Sequence, residues 1–288
     1  MNKKIVKWVL ITVVILWTIM PLYWFLRMAF MSPAELSLFP PHFYPHKPTI
    51  SGFFNVLGFS YTSSSGEIFI PSGQADQIRR GLMNSLVLAS IVTCITLIVT
   101  VPLGYTFGRL KFKHKNKLLF AILLSVALPP VSLLIPFFIL FVKVGLTGNL
   151  IGLILVHLTI TIPFVAWMLM GFFRNLPNVE PLATIDGFSR IATFFKIVVP
   201  MSKVGIAVAG IISFLFSWNE YDFAMVLVNG TSASTLPASI SGFLFQHPEV
   251  EHLAASVIYS LIPPFIVAYI LQKHITEMNI TNPIGGQV

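Results

Sequence analysis

Charged residues are scarce in this chain. Asp, Glu, Lys and Arg make up 10% of its 288 residues, and apolar residues make up 56%, whereas ordinary soluble domains carry about 25% charged residues. The mean hydropathy is +0.85. A single cysteine, Cys94, cannot form a disulfide framework or a Cys/His metal site. The composition therefore excludes an ordinary soluble or disulfide-rich domain and predicts an integral membrane protein.

The sequence also lacks the groups that supply a transporter with energy. It has no G-x-x-x-x-G-K-[ST] phosphate loop, so we do not expect it to bind ATP by that mechanism. Ion-coupled transporters usually place ionisable groups deep in the membrane, but His157 is the single ionisable side chain well inside an apolar stretch. It is either a hydrogen-bonded packing residue, which is commoner, or a proton relay. The stretches show no catalytic or metal-ligand constellation, so we predict no catalytic residue, metal or cofactor on this chain and an energy source on a partner.

Six stretches are apolar and long enough to cross a membrane, which takes roughly 20 residues. The first follows three lysines and exceeds the apolar run of a signal peptide, so we interpret it as an uncleaved span. The sequence thus predicts an all-α protein with six transmembrane helices. They cover residues 8–30, 82–108, 118–142, 149–173, 204–226 and 253–272.

The basic residues predict the orientation of these spans. Lys and Arg are concentrated at the N-terminus and in the second-to-third and fourth-to-fifth connections, which the positive-inside rule assigns to the cytoplasm together with both termini. This placement beside apolar spans also argues against nucleic-acid binding despite the net charge of +8. The predicted parts are a first transmembrane helix (1–30), an external loop (31–81), a five-helix core (82–273) and a cytoplasmic tail (274–288). The external loop is either plain surface or a docking surface for an external partner.

Prolines and small residues mark several spans. Prolines at 129–130, 136, 163 and 263–264 predict kinks, which occur both in moving transport helices and in static bundles. Small residues follow helical spacing on the second and fifth spans. Such faces favour close helix packing over a polar path. They comprise Ser85, Ala89, Thr93, Thr96, Thr100, Gly104, Gly205, Ala209, Ser213 and Ser217.

The cytoplasmic segment 174–203 within the core is moderately polar and predicts two short helices. Asn178 can cap the first, with Glu180 at its positive end, and Gly187 is a natural stop. Ser189 can cap a second helix that ends before Pro200.

This segment can be read in two ways. Ala183 and Gly187, four residues apart, leave a shallow notch where another protein can approach closely. The alternative is an amphipathic loop packed under the bundle.

The same segment resembles the cytoplasmic loop of binding-protein-dependent ABC importer permeases. That motif reads E-A-A-x-x-x-G, nine residues, then I-x-L-P. Ala183, Asp186 and Gly187 match it, nine residues follow, and Ile197–Pro200 closes it in register. Pro181 occupies the position of the motif's glutamate, with Glu180 one place earlier, and Leu182 replaces its first alanine.

The resemblance extends from about Asn84 to the C-terminus and is to the carbohydrate-uptake (maltose-type) branch. It rests on an ordered set of short matches: Asn84-Ser85, Gly104-Tyr105, Gly108-Arg109-Leu110, Gly145-Leu146, Gly171-Phe172-Phe173, Trp218-Asn219-Glu220 and Thr235-Leu236-Pro237. It implies a type I ABC importer permease-like fold in the cell membrane and a non-enzymatic subunit that translocates a sugar inward by alternating access. The implied partners are a second related permease, two ATPase subunits that hold ATP and Mg, and an external solute-binding protein that delivers the sugar.

In that family the short loop helix sits in a groove on the ATPase. The resemblance therefore implies that the coupling loop contacts the ATPase through a defined set of residues. These are Glu180, Leu182, Ala183, Asp186, Gly187 and Pro200.

A possible substrate path involves Trp218, Asn219 and Glu220, since an aromatic face with an amide and a carboxylate suits hydroxyl recognition, and His157. The alternative is an interfacial tryptophan with polar neighbours. The rival functions are a stand-alone secondary transporter or facilitator for small polar solutes, and a membrane scaffold or enzyme subunit without transport activity. The sugar itself is not predicted.

Overall fold

The computed structural model describes residues 3–64, 66–245 and 249–281, so part of the predicted tail, residues 282–288, lies outside it. Contacts divide the chain into two compact units. The first comprises the residues up to Met83 together with Ser234–Ile262. The second comprises Asn84–Ala233 and the residues from Pro263 onward.

Nearly all regular structure is helical. The helices, numbered in chain order, are α1 (Lys3–Ala29), α2 (Pro33–Leu36), α3 (Ser51–Asn55), α4 (Ala75–Arg109), α5 (Lys115–Ala127), α6 (Leu134–Lys143), α7 (Leu150–Arg174), α8 (Glu180–Ile185), α9 (Arg190–Thr193), α10 (Val199–Met201), α11 (Lys203–Asn219), α12 (Asp222–Leu227), α13 (Leu236–Ile240), α14 (Gly242–Phe245) and α15 (Val250–Thr281). A 3-10 turn (Pro130–Leu133) precedes α6, and a π-helical turn (Phe194–Val198) joins α9 to α10. Two short strands, β1 (Tyr61–Thr62) and β2 (Ile68–Phe69), pair antiparallel with Tyr61 opposite Phe69.

Four helical segments are long and apolar enough to cross a membrane: Lys4–Ala29, Ala75–Arg109, Leu150–Arg174 and Val250–Ile270. Two further pairs of helical segments also qualify if each bent pair is one span. The described residues therefore support a multi-span helical protein with four to six crossings.

The third span has the kink that its prolines predict, and the fifth ends earlier than predicted. The third bends by 90° between Ala127 and Pro130, because Pro129 and Pro130 lack the N–H groups that continue a helix. The predicted fifth span runs to residue 226, but α11 ends at Asn219 and Glu220 is extended. By contrast, Pro163 and the pair at 263–264 lie inside continuous helices.

The predicted external loop also differs from expectation. It contains α2, α3 and the two strands, and α4 begins at Ala75, within the range assigned to the loop. The hairpin is a small exception to an all-α fold. Its turn is closed by Ser63 N–H donating to Glu67 O at 2.8 Å, with Gly66 at φ +82°, a conformation that glycine adopts without strain.

The second unit packs α4, α7 and α11 through the small-residue faces. A side chain at Gly205 would meet the Phe172 ring at 2.7 Å, and one at Gly104 would meet Leu169 at 2.8 Å. Thr96 and Thr161 join α4 to α7 by a hydrogen bond of 3.0 Å. Most of the predicted small residues are buried, which favours helix packing over a polar path.

Candidate functional site

The segment after α7 forms the two short helices that the sequence predicts. Gly187 ends α8 at φ +83°, where a Cβ would have no neighbour within 4 Å, so backbone conformation rather than space favours glycine there. Phe188 N–H donates to Ala183 O at 2.9 Å across this turn. Ser189 Oγ accepts from Ala192 N–H at 3.2 Å and caps α9. The predicted stop at Gly187 and the cap at Ser189 are confirmed.

Two local predictions are wrong. Asn178 does not cap α8: Val179 is the N-cap residue, without a side-chain bond, and Asn178 Oδ1 accepts from Arg109 Nη2 at 3.1 Å instead. The second helix does not end before Pro200, because it continues through the π-helical turn into α10. Pro200 is the second residue of α10, directly after the π-helical turn.

Arg109, at the end of α4, holds the loop in place. Its Nε donates to Glu180 Oε1 at 2.8 Å and its Nη2 to Glu180 Oε2 at 2.5 Å. The same guanidinium donates to Leu176 O at 2.9 Å and to Pro177 O at 3.0 Å. Two-pronged pairs of this kind are strong and geometrically specific, so Arg109 fixes both the first residue of α8 and the turn before it.

Glu180 has a second partner and a perturbed acidity. Tyr105 O–H donates to Glu180 Oε1 at 3.3 Å. Hydrogen bonding from Arg109 holds the pKa of the Glu180 carboxyl below its usual value, against the opposing effect of desolvation. In the sequence, Arg109 was notable only as a basic residue and as part of the Gly108-Arg109-Leu110 match. Its partner lies 71 positions away, and no local pattern links the two residues.

Beyond this clamp, α8 and α9 present apolar side chains at the surface. Leu182 is 64% exposed, Ile185 81% and Ile191 73%. Asp186, Gly187 and Pro200 are exposed as well. We call Leu182, Ile185 and Ile191 the exposed loop face. Large apolar side chains exposed on one short loop are a feature of surfaces that bind a partner.

Ala183 differs from the other predicted interface residues. It is 2% exposed, so the predicted notch between Ala183 and Gly187 is not open at its Ala183 end. Farther along the loop, Phe194 and Val198 are buried in a cluster with Val165 and Leu169. The loop is thus anchored in the helical core at one end and clamped by Arg109 at the other.

Of the predicted substrate-path residues, the structure brings His157 and Glu220 together. His157 is fully buried, with Nδ1 2.8 Å from Ser217 Oγ and Nε2 3.2 Å from Glu220 Oε2. Glu220 also accepts from the backbone N–H groups of Phe223 at 2.6 Å and Ala224 at 3.1 Å, which caps α12. This fits the interpretation of His157 as a hydrogen-bonded packing residue.

Trp218 and Asn219 do not form a common surface with His157 and Glu220. Trp218 is 1% exposed and stacks on Phe214 at 5.9 Å, so it neither faces an open path nor lies exposed as an interfacial anchor. Asn219 is exposed and donates to Leu215 O at 2.9 Å.

A cavity in the same unit lies at the bend of the third segment. Its volume is about 290 Å³, and its lining is mostly apolar with a few hydroxyl groups. The four predicted substrate-path residues do not line it. The lining includes Ser125, Pro130, Thr159, Thr161, Ser213 and Phe216.

Four to six apolar helical crossings in the part of the chain that the structure covers, with an exposed helical loop between two of them, describe a multi-span membrane protein. Residues 100–277 match the family described as "Binding-protein-dependent transport system inner membrane component". The chain belongs to this family, which confirms the resemblance found in the sequence. The family is one of transport permeases rather than enzymes, and its members are inner-membrane components.

Individual relatives include sugar permeases. The chain is 27% identical over 281 residues to the sulfoquinovosyl glycerol transport system permease protein SmoH of Agrobacterium fabrum, covering 96% of this chain and 92% of that protein. It is 31% identical over 218 residues to the trehalose transport system permease protein SugB of Mycobacterium tuberculosis, covering 74% and 79%. It is also 30% identical over 210 residues to the trehalose/maltose permease protein MalG of Thermococcus litoralis, covering 72% and 75%.

The fold matches a solved transporter. A chain in the crystal structure of a bacterial ABC transporter that imports the acidic polysaccharide alginate superposes with a TM-score of 0.75 at 20% identity, covering 94% of this chain and 95% of that one. A second alginate transporter structure, in complex with an alginate pentasaccharide-bound periplasmic protein, gives 0.57 at 15% identity over 69% and 77%. These matches establish the fold.

Proposed function

We propose that this chain is one membrane-spanning subunit of an ATP-driven importer that moves a sugar inward by alternating access. The observation that carries the proposal is the exposed loop face, held rigidly by the Arg109–Glu180 clamp. A rigid apolar surface on a loop between membrane segments suits a partner that moves against it. We infer that this partner is an ATP-binding subunit.

The proposed coupling follows from how the loop is attached. Phe194 and Val198 pack in the core with residues of α7, while the Arg109 clamp ties α8 to the end of α4. A push on α8 is therefore transmitted to two long helices instead of being absorbed by a loose loop. Rigid packed elements of this kind shift between discrete arrangements, which is what alternating access requires.

A saccharide is the proposed substrate class. The transport systems of the relatives are described as acting on sulfoquinovosyl glycerol, trehalose and trehalose/maltose, and the structural neighbours on alginate. A mono- or oligosaccharide is the chemistry these compounds share. The periplasmic protein in the second alginate structure supports an external solute-binding protein as the source of the sugar.

The remaining components are proposed on the same basis. A second related permease would complete the membrane channel, and two ATP-binding subunits would hold ATP and Mg. The basic clusters favour a cell-membrane orientation in which the loop 174–203 and both termini are cytoplasmic. The segment 31–81 then lies outside, where the solute-binding protein would dock.

The alternative function is a secondary transporter, and the His157–Glu220 pair is the feature that favours it. A buried histidine beside a carboxylate is the kind of group that a proton-coupled transporter uses. Glu220, however, is already bonded to two backbone N–H groups at the start of α12. A structural role accounts for the pair.

Uptake of labelled sugar into cells separates the two functions. ATP depletion by arsenate should abolish uptake, while a protonophore applied with ATP maintained should leave it within about twofold of the control. The reverse pattern would support the secondary transporter.

Purification of the tagged chain from native membranes should recover an ATP-binding subunit and a second permease, and the sugars carried by the co-purifying solute-binding protein select the substrates to test.

A further inference from the structure

Three potential metal ligands meet in the segment that follows α1. Glu35, in α2, is 8% exposed. Its Oε1 lies 3.2 Å from His42 Nδ1 and 3.3 Å from His46 Nδ1. One ligand atom from each of the three residues lies within 4.8 Å of the other two. The cluster belongs entirely to the first unit and is separate from the loop that carries the proposed coupling.

The surrounding contacts fix this arrangement. Ser32 Oγ accepts from Glu35 N–H at 3.3 Å and starts α2. The two histidine rings lie against each other with centroids 4.0 Å apart, and the Tyr44 ring stacks on His46 at 4.8 Å. Tyr23 of α1 donates from its hydroxyl to Phe43 O. The segment 42–46 is therefore held against α1 and α2.

The hydrogen bonding of Glu35 is unevenly shared between its two oxygens. His46 N–H donates to Oε1 at 2.7 Å, and both imidazole Nδ1 atoms also approach Oε1. The other oxygen, Oε2, is buried and has no hydrogen-bond partner among the described residues. A carboxylate has acceptor positions on both oxygens, and a buried acceptor without a partner is costly. A cation held by both oxygens of the carboxylate would satisfy this acceptor.

The interatomic distances suit a transition-metal ion. Zn²⁺ binds imidazole nitrogen at about 2.0–2.1 Å and carboxylate oxygen at about 2.0–2.2 Å, so neighbouring ligand atoms of a tetrahedral site lie roughly 3.3–3.5 Å apart. The two nitrogen–oxygen separations, 3.2 and 3.3 Å, are close to this edge length. Two imidazoles with one carboxylate form a donor set that prefers Zn²⁺ and similar ions over Mg²⁺ or Ca²⁺.

We propose that Glu35, His42 and His46 form a binding site for Zn²⁺ or a related divalent transition-metal ion, with a water molecule in the fourth position. Bound metal would join α2 to the segment 42–46 and stiffen the start of this loop. The sequence analysis predicted no metal ligands, because it considered the apolar spans, whereas these three residues lie in the predicted external loop. The turn between residues 36 and 46 brings them together. The proposal stands independently of the transport function.

The test uses the full chain in its purified complex, with a tag that contains no histidine and with metal first removed by chelation. Zn²⁺ is titrated in competition with a chromophoric chelator, and Co²⁺ is added in parallel. We expect one tight site per chain. Co²⁺ in that site should show the intense visible absorption of tetrahedral coordination, and added Zn²⁺ should displace the Co²⁺ and remove the absorption. His42→Ala, His46→Ala and Glu35→Gln should each weaken Zn²⁺ binding at least tenfold and remove the Co²⁺ absorption.

Two control variants test whether another histidine is responsible. His114 is exposed on the second unit, and His252 Nδ1 lies 2.6 Å from Glu249 Oε2 as a separate histidine–carboxylate pair. His114→Ala and His252→Ala should leave the affinity unchanged. If one cluster variant fails to fold, the other two cluster variants and the controls locate the site. Absence of a stoichiometric tight site or of the tetrahedral Co²⁺ spectrum would show a hydrogen-bonded cluster without metal and overturn it, as would affinity lost only in the controls.

Discussion

Glu180 and Glu220 stand at the starts of two short helices in the same unit and make instructively different contacts. Each precedes or begins a six-residue helix, α8 or α12, and each is held by a basic side chain from a long preceding helix. Arg109 holds Glu180 and His157 lies against Glu220. In both places a polar group on a long helix determines where a short helix sits.

The difference lies in what the short helix then does. The Glu220 side chain is 8% exposed beside a fully buried His157, and Trp218 nearby is buried. The Glu180 side chain is 26% exposed, and the helix it begins presents Leu182 and Ile185 at the surface. The Glu220 contact therefore supports packing inside the protein, whereas the Glu180 contact supports a helix with an exposed apolar face. Breaking the His157–Glu220 pair should lower stability, and breaking the Arg109–Glu180 pair should weaken coupling.

We expect the largest loss of uptake from a change in the turn at Gly187, which lies between Ile185 and Ile191 of the exposed loop face. Gly187→Asp should reduce ATP-driven uptake to background while the complex still assembles, because an aspartate at φ +83° changes the turn and adds charge beside the docking face. Uptake and subunit recovery are measured together in membrane vesicles.

Gly145 supplies a matched control for that variant. It too has positive φ, +69°, with nothing within 4 Å of an added Cβ, so Gly145→Asp should suffer similar backbone strain. We expect it to retain uptake. Equal loss in both variants, or normal uptake by Gly187→Asp, would contradict a special role for the loop.

The next effect concerns the clamp. Arg109→Ala removes bonds to Glu180 and to the turn before it. Hydrogen bonds to charged groups contribute about 1.5–3 kcal/mol each, so we expect uptake to fall about tenfold or more while ATP hydrolysis continues uncoupled from transport. The exchange Arg109→Glu with Glu180→Arg should restore part of the uptake.

Arg79→Ala is the control for the clamp. Arg79 pairs with Asp76 at 2.8 Å, but both side chains are more than half exposed, and pairs of that type contribute about 0–1 kcal/mol. Its uptake should equal that of the wild type. A loss as large as that of Arg109→Ala would mean that any lost arginine has the same effect.

The buried pair should show the opposite behaviour. His157→Leu removes the side-chain partner that Glu220 and Ser217 share, and losing a buried hydrogen-bond partner costs about 1–3 kcal/mol, which thermal unfolding in detergent would detect. Uptake per folded complex should stay within about twofold. His157→Gln keeps a hydrogen-bonding group and should lose less stability, whereas uptake abolished in fully folded protein would favour a proton relay.

The smallest expected effect concerns how the stability of the folded protein depends on pH. The folded-state pKa of Glu180 lies below its ordinary value, which is about 4.3. Its pairing therefore contributes stability above that value, and the contribution is lost as pH falls through the folded-state pKa. The melting-temperature advantage of wild type over Glu180→Gln should be constant from neutral pH to about pH 5 and shrink below about pH 4.3. An advantage that appears only in acid would have the wrong sign.

Local chemistry made part of this structure predictable. The stop at Gly187 and the cap at Ser189 follow from properties of single residues, and apolar length located most of the crossings. The break at Pro129–Pro130 was predicted as a kink, but its 90° angle depends on the packing around it.

Contacts between distant residues were not predictable. Arg109 meets Glu180, and Asn178 is taken from its expected capping role, only because α4 ends beside the loop. Likewise, Glu220 lies within the predicted fifth span (204–226), but α11 ends at Asn219 and Glu220 instead accepts from two backbone N–H groups at the start of α12. The exposed loop face was only partly predictable, because helical spacing alone does not show that Ala183 is buried while Leu182 is exposed.

The central claim is that the exposed loop face docks on an ATP-binding subunit. A photo-crosslinking amino acid placed at Ile185, which is 81% exposed, tests this directly, with Phe39, which is 95% exposed in the predicted external loop, as the control. We expect illumination of native membranes to join Ile185 to a nucleotide-binding subunit, whereas Phe39 should give no such product. Crosslinking of Ile185 to lipid alone, or an ATP-binding product of equal yield from Phe39, would contradict it.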